Sequence, residues 1–237
     1  MRGGRRGGVD FSIYGRALPY LLRNPSILAM PLLAAVLDML LSYTGAVTTD
    51  PLGGLGSGIF GMIIQIVYLF AFGIAIIQAN NIARGYKTKF DDAWDEGRRK
   101  AGSILIAAIG FQFVVWVAAY AGSLLSFIPY LQLVLQLVAY FFLILTIPAA
   151  AIGGLPGGLA LSGSIRAVRA HPVPCLVLAI VFVALWIGVP VLIELFVGAR
   201  FGFLGYELMM AVARALVLAY MAFPFATTYD DVAFKFW

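Results

Sequence analysis

Charged residues, cysteine and histidine are scarce in this 237-residue chain, and each scarcity excludes a class of protein. Only 11% of the residues are charged, which is too few to solvate the surface of an ordinary water-soluble domain. Cys175 is the only cysteine, which excludes an internal disulfide and a cluster of cysteines around a metal ion. His171 is the only histidine, which excludes haem held by two histidines and a histidine-rich zinc site.

Apolar residues dominate the rest of the chain, and their arrangement predicts membrane-spanning helices. Hydrophobic residues make up 62% of the sequence, and the mean hydropathy is +0.98. They come in blocks of about twenty, the length of helix that crosses the ~30 Å hydrocarbon layer. The stretch 131–151 is apolar on every face, whereas the strands of a transmembrane barrel alternate polar and apolar residues. We therefore predict an all-α fold, a polytopic membrane helix bundle.

Glycine, proline and charge divide the apolar sequence into six predicted transmembrane helices. These spans cover residues 27–46, 59–78, 104–123, 130–151, 173–197 and 207–225. We predict a single membrane domain over 1–237, with a basic N-terminal segment containing an interfacial helix (1–26), the six-span bundle (27–225) and a cytoplasmic tail (226–237).

Lysine and arginine are distributed unequally between the two sides of the predicted bundle. They precede span one and lie between spans two and three and between spans four and five, whereas segments 47–58 and 124–129 contain neither. By the positive-inside rule both termini are cytoplasmic, and we expect a multi-pass protein of a prokaryotic cytoplasmic (inner) membrane. A cleavable signal peptide is the competing interpretation of the N-terminus, but the first apolar run is longer than the about 7–15 residues of a normal signal core.

One plan recurs three times along the chain: an amphipathic stretch, a basic residue, a helix breaker or small residue, and then two spans. The separation of Arg99 from Trp116 equals that of Arg169 from Trp186, which registers the second unit with the third and leaves the first more diverged. We predict three tandem units, each an interfacial amphipathic helix plus a helical hairpin. Because each unit has two spans, the units are parallel repeats about an axis along the membrane normal.

Basic residues beside the spans are predicted to contact anionic lipid headgroups rather than nucleic acid, because they form no independent folded patch. These residues are Arg16, Arg23, Arg98, Arg99, Lys100, Arg166 and Arg169. In the second amphipathic helix, Asp95 with Arg99 and Glu96 with Lys100 have the spacing of favourable i,i+4 pairs. We expect anionic membrane lipids on the cytoplasmic side as partners, together with a membrane-protein partner or a second copy of the chain, and no nucleic acid.

Four ionisable residues fall inside predicted spans, where an unpaired charge costs about 2.5 kcal/mol or more. They are Asp38 in span one, Glu194 in span five, and Glu207 and Arg214 in span six. Asp38 and Arg214 have similar, near-central depth when counted from opposite span edges, so we predict a buried ion pair between the first and last spans. Glu194 and Glu207 lie nearer the outer surface, within reach of Arg200. Interhelical contacts are the favoured role of these charges, and a translocation path is the alternative.

One cluster matches an enzyme motif. Asp91, Asp92 and Asp95 fit the Asp-Asp-x-x-Asp pattern with which prenyl-diphosphate enzymes hold magnesium. Basic residues follow directly, so a solvated, self-paired helix start is the favoured interpretation. Ser164 lies near His171, but polar residues that open an interfacial helix explain both, and no Gly-x-Ser-x-Gly elbow is present. We predict no catalytic residue, no metal site and no cofactor.

Segment 85–94, which leads through Arg98 and Arg99 into a span, and segment 161–166, which precedes another span, carry a resemblance to known proteins. The chain resembles a broad group of poorly characterised six-span prokaryotic membrane proteins, and it is similar to the membrane domain attached to some glycerophosphoryl diester phosphodiesterases. The resemblance covers most of the chain. It implies a fold of interfacial helices and hairpins, with no catalytic residues.

Three hypotheses of function follow. The first is a non-enzymatic integral membrane subunit or scaffold, which supports a transporter or another membrane complex or organises lipids. The alternative is a permease or channel-like protein for a small or amphiphilic substrate, which uses the buried charges. The third is a lipid-modifying or prenyl-transfer enzyme, which depends on Asp91, Asp92 and Asp95.

Overall fold

The computed structural model describes residues 11–43, 55–86, 90–125, 127–197 and 202–233. These residues form α-helices and one short 3-10 helix (Pro25–Leu28), and they contain no β-strand. In chain order the α-helices are α1 (Ser12–Arg23), α2 (Ala29–Tyr43), α3 (Leu55–Ala83), α4 (Phe90–Arg99), α5 (Ala101–Leu124), α6 (Leu131–Leu143), α7 (Thr146–Ala151), α8 (Gly157–Ala170), α9 (Pro172–Val197) and α10 (Gly202–Ala233).

Among the described residues, six helical segments are long and apolar enough to cross a membrane, which confirms the predicted fold class. They are Pro25–Ser42, Phe60–Ala83, Ala101–Leu124, Leu131–Ala151, Pro172–Phe196 and Leu204–Ala233. Two helices, those of spans two and six, continue well past the predicted C-terminal ends of their spans. The second continues past Gln78, because this side chain donates a hydrogen bond to Ser26 Oγ (2.7 Å) and so remains in the bundle. The sixth contains Pro224 and continues to Ala233, so part of the predicted tail is helical.

The helices follow the predicted plan of three units. A short helix (α1, α4 or α8) is followed in each unit by two spans, which are α2 and α3, α5 and α6–α7, and α9 and α10. Each short helix packs on the second span of the preceding unit, α4 on α3 and α8 on α7. The first short helix, α1, packs on α10 of the last unit, so the pattern is cyclic. The second spans α3, α7 and α10 contact one another. The three units therefore close into a ring, and the short helices share one end of the bundle, here called the basic end.

The junctions between the short helices and the first spans differ from the expected pattern. Asn24 (φ −133°, ψ 67°) and His171 (φ −134°, ψ 65°) have nearly the same backbone conformation, whereas Lys100 has φ −98° and ψ 3°. Asn24 and His171 each precede a proline, which disfavours the helical conformation in the residue before it. At this position the first unit therefore resembles the third more closely than the second does.

Span four is broken near its basic end, where α6 stops at Leu143 and α7 begins at Thr146. Ser164 of α8 bridges the break, because its hydroxyl donates to the carbonyl oxygen of Phe142 (2.8 Å) and accepts from the N–H of Leu145 (3.1 Å). A helix break leaves backbone groups without partners, and no water is present in hydrocarbon to replace them. Ser164 therefore has a structural role in span four.

The Ser164 bridge makes a first testable prediction. Ser164→Ala leaves one buried N–H and one buried carbonyl without this partner, so we expect it to lower the free energy of unfolding by about 1–3 kcal/mol. Ser162→Ala is the matched control, because the Ser162 hydroxyl bonds only to Leu159 O within its own helix (3.0 Å). Unfolding in mixed detergent micelles, followed by circular dichroism, measures both variants. Equal losses from the two serines would contradict the bridging role.

Candidate functional site: the intramembrane charges and the basic end

Three side chains from three spans meet inside the bundle. Arg214 Nη1 of α10 lies 2.5 Å from Asp38 Oδ2 of α2, and Tyr68 Oη of α3 donates to the same oxygen at 3.0 Å. Asp38 is buried, with 8% of its surface exposed, while 37% of the Arg214 side chain remains accessible. The predicted ion pair between the first and last spans is confirmed. We call Asp38, Tyr68 and Arg214 the charge cluster.

Tyr68 was not predicted, because hydropathy gives no signal for a tyrosine in an apolar helix. The ring of Trp186 from α9 meets the ring of Tyr68 edge-on, with centroids 6.0 Å apart. This contact links the fifth span to the cluster. Trp116, which corresponds to Trp186 by its spacing from the preceding arginine, is instead 55% exposed. The cluster therefore connects four of the six spans. Its opposite charges are paired and its carboxylate accepts two donors, an arrangement suited to holding helices together.

The other two intramembrane acids do not join the charge cluster. Glu194 is exposed on α9, and it has no ion pair with another residue in the described ranges. Glu207 is half-buried and lies two turns before Arg214 on α10. The predicted partner Arg200 lies outside the described residues. Among the described residues, the intramembrane acids and bases thus form one ion pair and no row through the bundle.

The basic end presents most of the predicted headgroup ligands to the surroundings. Exposed arginines lie on all three short helices, namely Arg16 and Arg23 on α1, Arg98 and Arg99 on α4, and Arg166 and Arg169 on α8. Each short helix also buries an apolar face, so the arginines lie on the side away from the bundle. The three short helices therefore carry six exposed guanidinium groups at one end of the bundle.

Lys100 differs from the arginines, because it is half-buried and points into the bundle. Its ammonium group donates to Glu96 Oε1 (2.7 Å) and to the carbonyl oxygen of Ala151 (2.8 Å), the last residue of α7. A cation at a helix C-terminus satisfies a free carbonyl and complements the helix dipole. The predicted Glu96–Lys100 pair is confirmed, whereas Asp95 and Arg99 form no ion pair with each other. Lys100 joins two helices in addition to any contact with lipid.

Further polar contacts near the basic end join separate helices, and sequence reasoning missed them. Arg84 at the end of α3 pairs with Asp230 near the end of α10 (3.1 Å). Asn81 donates to Glu96 of α4 at 3.4 Å. Both contacts depend on continuing spans two and six past their predicted ends. A count of apolar residues could not reveal them, since it treats polar residues as the end of a span.

The acidic motif of α4 does not form a metal site. Asp91, Asp92 and Asp95 are exposed, and the described part of the chain has no group of three histidine, cysteine, aspartate or glutamate residues that could hold a metal ion. Their placement in the first turns of α4 agrees with the preference of acids for a helix N-terminus.

An apolar groove of about 920 Å³ runs along the outside of α9 and α10 and is closed at its basic end by α1. From α1 it is lined by Phe11, Tyr14, Leu18 and Leu21, and from the spans by residues such as Val189 and Val212. Burial, together with a smaller effect of the neighbouring Tyr220, raises the pKa of Tyr14 to about 12, so this phenol stays neutral beside the apolar surface. The groove is bordered by the least buried span, since only 6% of the apolar window of α9 is buried.

Comparison with protein-family models, with curated proteins and with solved structures finds no match. The class therefore rests on the structure, whose described residues contain the six long apolar helices of a multi-pass α-helical membrane protein.

Proposed function

We propose that this protein is a non-enzymatic integral membrane scaffold that gathers anionic lipids at its basic end. The observation that carries the proposal is the display of six exposed arginines on three short helices at one end of the bundle. Arginine beside a membrane span is attracted to anionic headgroups, and the apolar face of an amphipathic helix anchors it at the same depth. Three such helices in a ring would place arginines on several sides of one protein.

The orientation belongs to the same proposal. Basic residues flanking spans favour the cytoplasmic side, so we place the basic end and both termini there, in a prokaryotic cytoplasmic membrane. The resemblance to six-span prokaryotic membrane proteins remains part of this proposal. A scaffold of this kind can also support a transporter or another membrane complex through the lipid that surrounds it.

The charge cluster supports a scaffold over a permease. A translocation path needs polar groups that can release their partners and bind a substrate. In this bundle the Asp38 carboxylate accepts from both Arg214 and Tyr68, and the three groups hold α2, α3 and α10 together. This arrangement stabilises one closed packing of the spans.

Lipid selectivity tests the proposed function. The protein is placed in nanodiscs made from equal amounts of phosphatidylglycerol and phosphatidylcholine, and the lipids that remain with it after mild detergent extraction are quantified. We expect enrichment of phosphatidylglycerol, and a fall of about threefold or more when Arg98, Arg99, Arg166 and Arg169 are all replaced by glutamine. The quadruple lysine variant is the control, because it keeps the charges and should keep most of the enrichment. Equal lipid composition around the parent and the glutamine variant would contradict the proposal.

A further inference from the structure

We propose that a pocket at the tip of the second unit's hairpin binds a neutral sugar ring, as the headgroup of a glycolipid or as a free sugar. The pocket has a volume of about 380 Å³ and lies between the end of α5 and the start of α6. Its polar lining comes from Ser123, Tyr130, Gln132 and Gln136, and we call it the hairpin pocket. The inference goes beyond the proposed function and does not depend on it.

The hairpin pocket lies at the end of the bundle opposite the basic end. Lys100, which directly precedes α5, bonds to Ala151, the last residue of α7, so the hairpin begins and ends at the basic end. The 24 residues of α5 rise about 36 Å from there. This rise exceeds the ~30 Å hydrocarbon layer, so the pocket reaches the headgroup level of the other leaflet. The arginines of the proposed function are therefore remote from it.

None of the described residues that line the hairpin pocket is charged, which favours a neutral ligand. Residues 101–165 of the sequence contain no aspartate, glutamate, lysine, arginine or histidine. A phosphate or an ammonium group would lose water on entering the pocket and would find no opposite charge in this hairpin. A hydroxyl group, in contrast, exchanges its hydrogen bonds to water for bonds to neutral donors and acceptors.

Two carboxamides and a hydroxyl group supply the polar contacts. Gln132 and Gln136 are four residues apart on α6, so they project from the same face of this helix. Neither side chain forms a hydrogen bond within the described residues, so each offers a carbonyl oxygen and an NH2 group. Ser123 donates to the carbonyl oxygen of Tyr120 (2.8 Å), which leaves its own oxygen as an acceptor. A sugar needs this mixture, because each of its hydroxyl groups is both a donor and an acceptor.

Tyr130 supplies an aromatic face at a backbone position that suits glycine. Its φ of 62° lies in the left-handed region, where it is the only residue other than glycine among those that the structure describes. Its side chain is 80% exposed, so packing inside the protein does not explain the tyrosine. Backbone strain of this kind is concentrated at functional sites. An exposed ring beside two carboxamides is suited to stacking on the C–H face of a sugar ring.

Gly122 fixes the spacing between the two walls of the hairpin pocket. A Cβ at this position would collide with the backbone of Gln132, so α5 and α6 are in backbone contact here. Ser123, the next residue, therefore lies on the α5 wall of the pocket at a set distance from the α6 wall. A preformed arrangement of this kind reduces the entropy that is lost on binding.

The experiment measures which lipids the protein retains from nanodiscs that contain phosphatidylcholine and an equal amount of monohexosyl diacylglycerols, with glucose, galactose or mannose as the sugar. The protein is extracted in a detergent without a sugar group, and retained lipids are counted by native mass spectrometry. Gln132→Leu and Gln136→Leu are the test variants. Gln65→Leu is the matched control, because Gln65 is an exposed glutamine of a span and lies outside the pocket. Tyr130→Gly removes the ring and relaxes the backbone, whereas Tyr130→Phe keeps the ring.

We expect the parent and Gln65→Leu to retain hexosyl lipid in about threefold or greater excess over phosphatidylcholine. Each leucine variant of the pocket should retain about threefold less or lower still, since the loss of one hydrogen bond changes an equilibrium about fivefold. Tyr130→Gly should show a similar fall in retention although its thermal unfolding midpoint does not fall, because glycine adopts the left-handed conformation without strain. Tyr130→Phe should retain most of the hexosyl lipid.

Methyl glycosides of the same three sugars distinguish the two sources of the ring. Displacement of the hexosyl lipid by millimolar methyl glycoside supports a free sugar as the ligand, whereas retention in its presence supports the lipid headgroup. Equal retention of hexosyl lipid and phosphatidylcholine on the parent would overturn the site, as would unchanged retention on both leucine variants. Retention on Tyr130→Gly equal to that on the parent would overturn the role of the aromatic ring.

Discussion

Replacing either Asp38 or Arg214 by leucine is expected to lower the free energy of unfolding by about 3 kcal/mol. Each single substitution leaves an opposite charge in the interior of the bundle without its partner, and that charge can find no water in hydrocarbon. The value is at the lower end of the range for buried pairs, because 37% of the Arg214 side chain is accessible. Unfolding in mixed detergent micelles, followed by circular dichroism and tryptophan fluorescence, measures the loss.

The double variant Asp38→Leu with Arg214→Leu distinguishes the loss of stability caused by breaking the ion pair from a loss caused by general damage to the core. Removing both charges together removes the unpaired charge as well, so we expect it to recover at least half of the single-variant loss. Tyr68→Phe should lose about 1 kcal/mol, since it removes one hydrogen bond and keeps the ring packed against Trp186.

The control for this cycle is Glu194→Leu, which removes a different intramembrane charge that is exposed on α9. We expect it to leave the free energy of unfolding unchanged or to raise it, because an unpaired carboxylate in a span is costly and leucine is not. Additive losses in the double variant, or a loss at Glu194 as large as at Asp38, would show that the pair does not stabilise the bundle.

The Asp38–Arg214 pair could be predicted because charges are rare in the spans. With few candidates, the depth counted from the ends of each span was enough to match one acid with one base. Tyr68 could not be found in this way, since nothing in an all-apolar helix indicates which side faces the bundle. Position along a span follows from counting residues, whereas the face of a span depends on its neighbours.

For the three-unit plan, too, the order of the helices along the chain could be predicted, whereas their packing against one another could not. The repeated amphipathic stretches predicted α1, α4 and α8, because a polar face opposite an apolar face gives each helix a clear period. The cyclic packing of each short helix on the preceding unit was not predicted, since it depends on contacts far apart in sequence. Lys100 illustrates the consequence: the sequence placed it with the exposed arginines, and the fold turns it toward Ala151.

Glycines differ in how closely the structure packs around them. A side chain added at Gly158 would meet nothing within 4 Å. A Cβ at Gly122 of α5, in contrast, would collide with the backbone of Gln132 at the start of α6, with the Gln132 nitrogen only 2.8 Å away. The hairpin of the second unit is therefore closed by one glycine.

Gly122→Ala is accordingly expected to lower the free energy of unfolding by about 1–3 kcal/mol, the usual cost of inserting a methyl group where backbone must move. Gly102→Ala in the same helix is the matched control, because its Cβ would meet nothing within 4 Å. Alanine also favours helix over glycine, so this control should be neutral or more stable by up to about 1 kcal/mol. The two substitutions thus differ in sign, although both add one methyl group to α5. Equal effects at the two positions would mean that α5 and α6 do not approach at Gly122, and the hairpin would then have to be packed on another face.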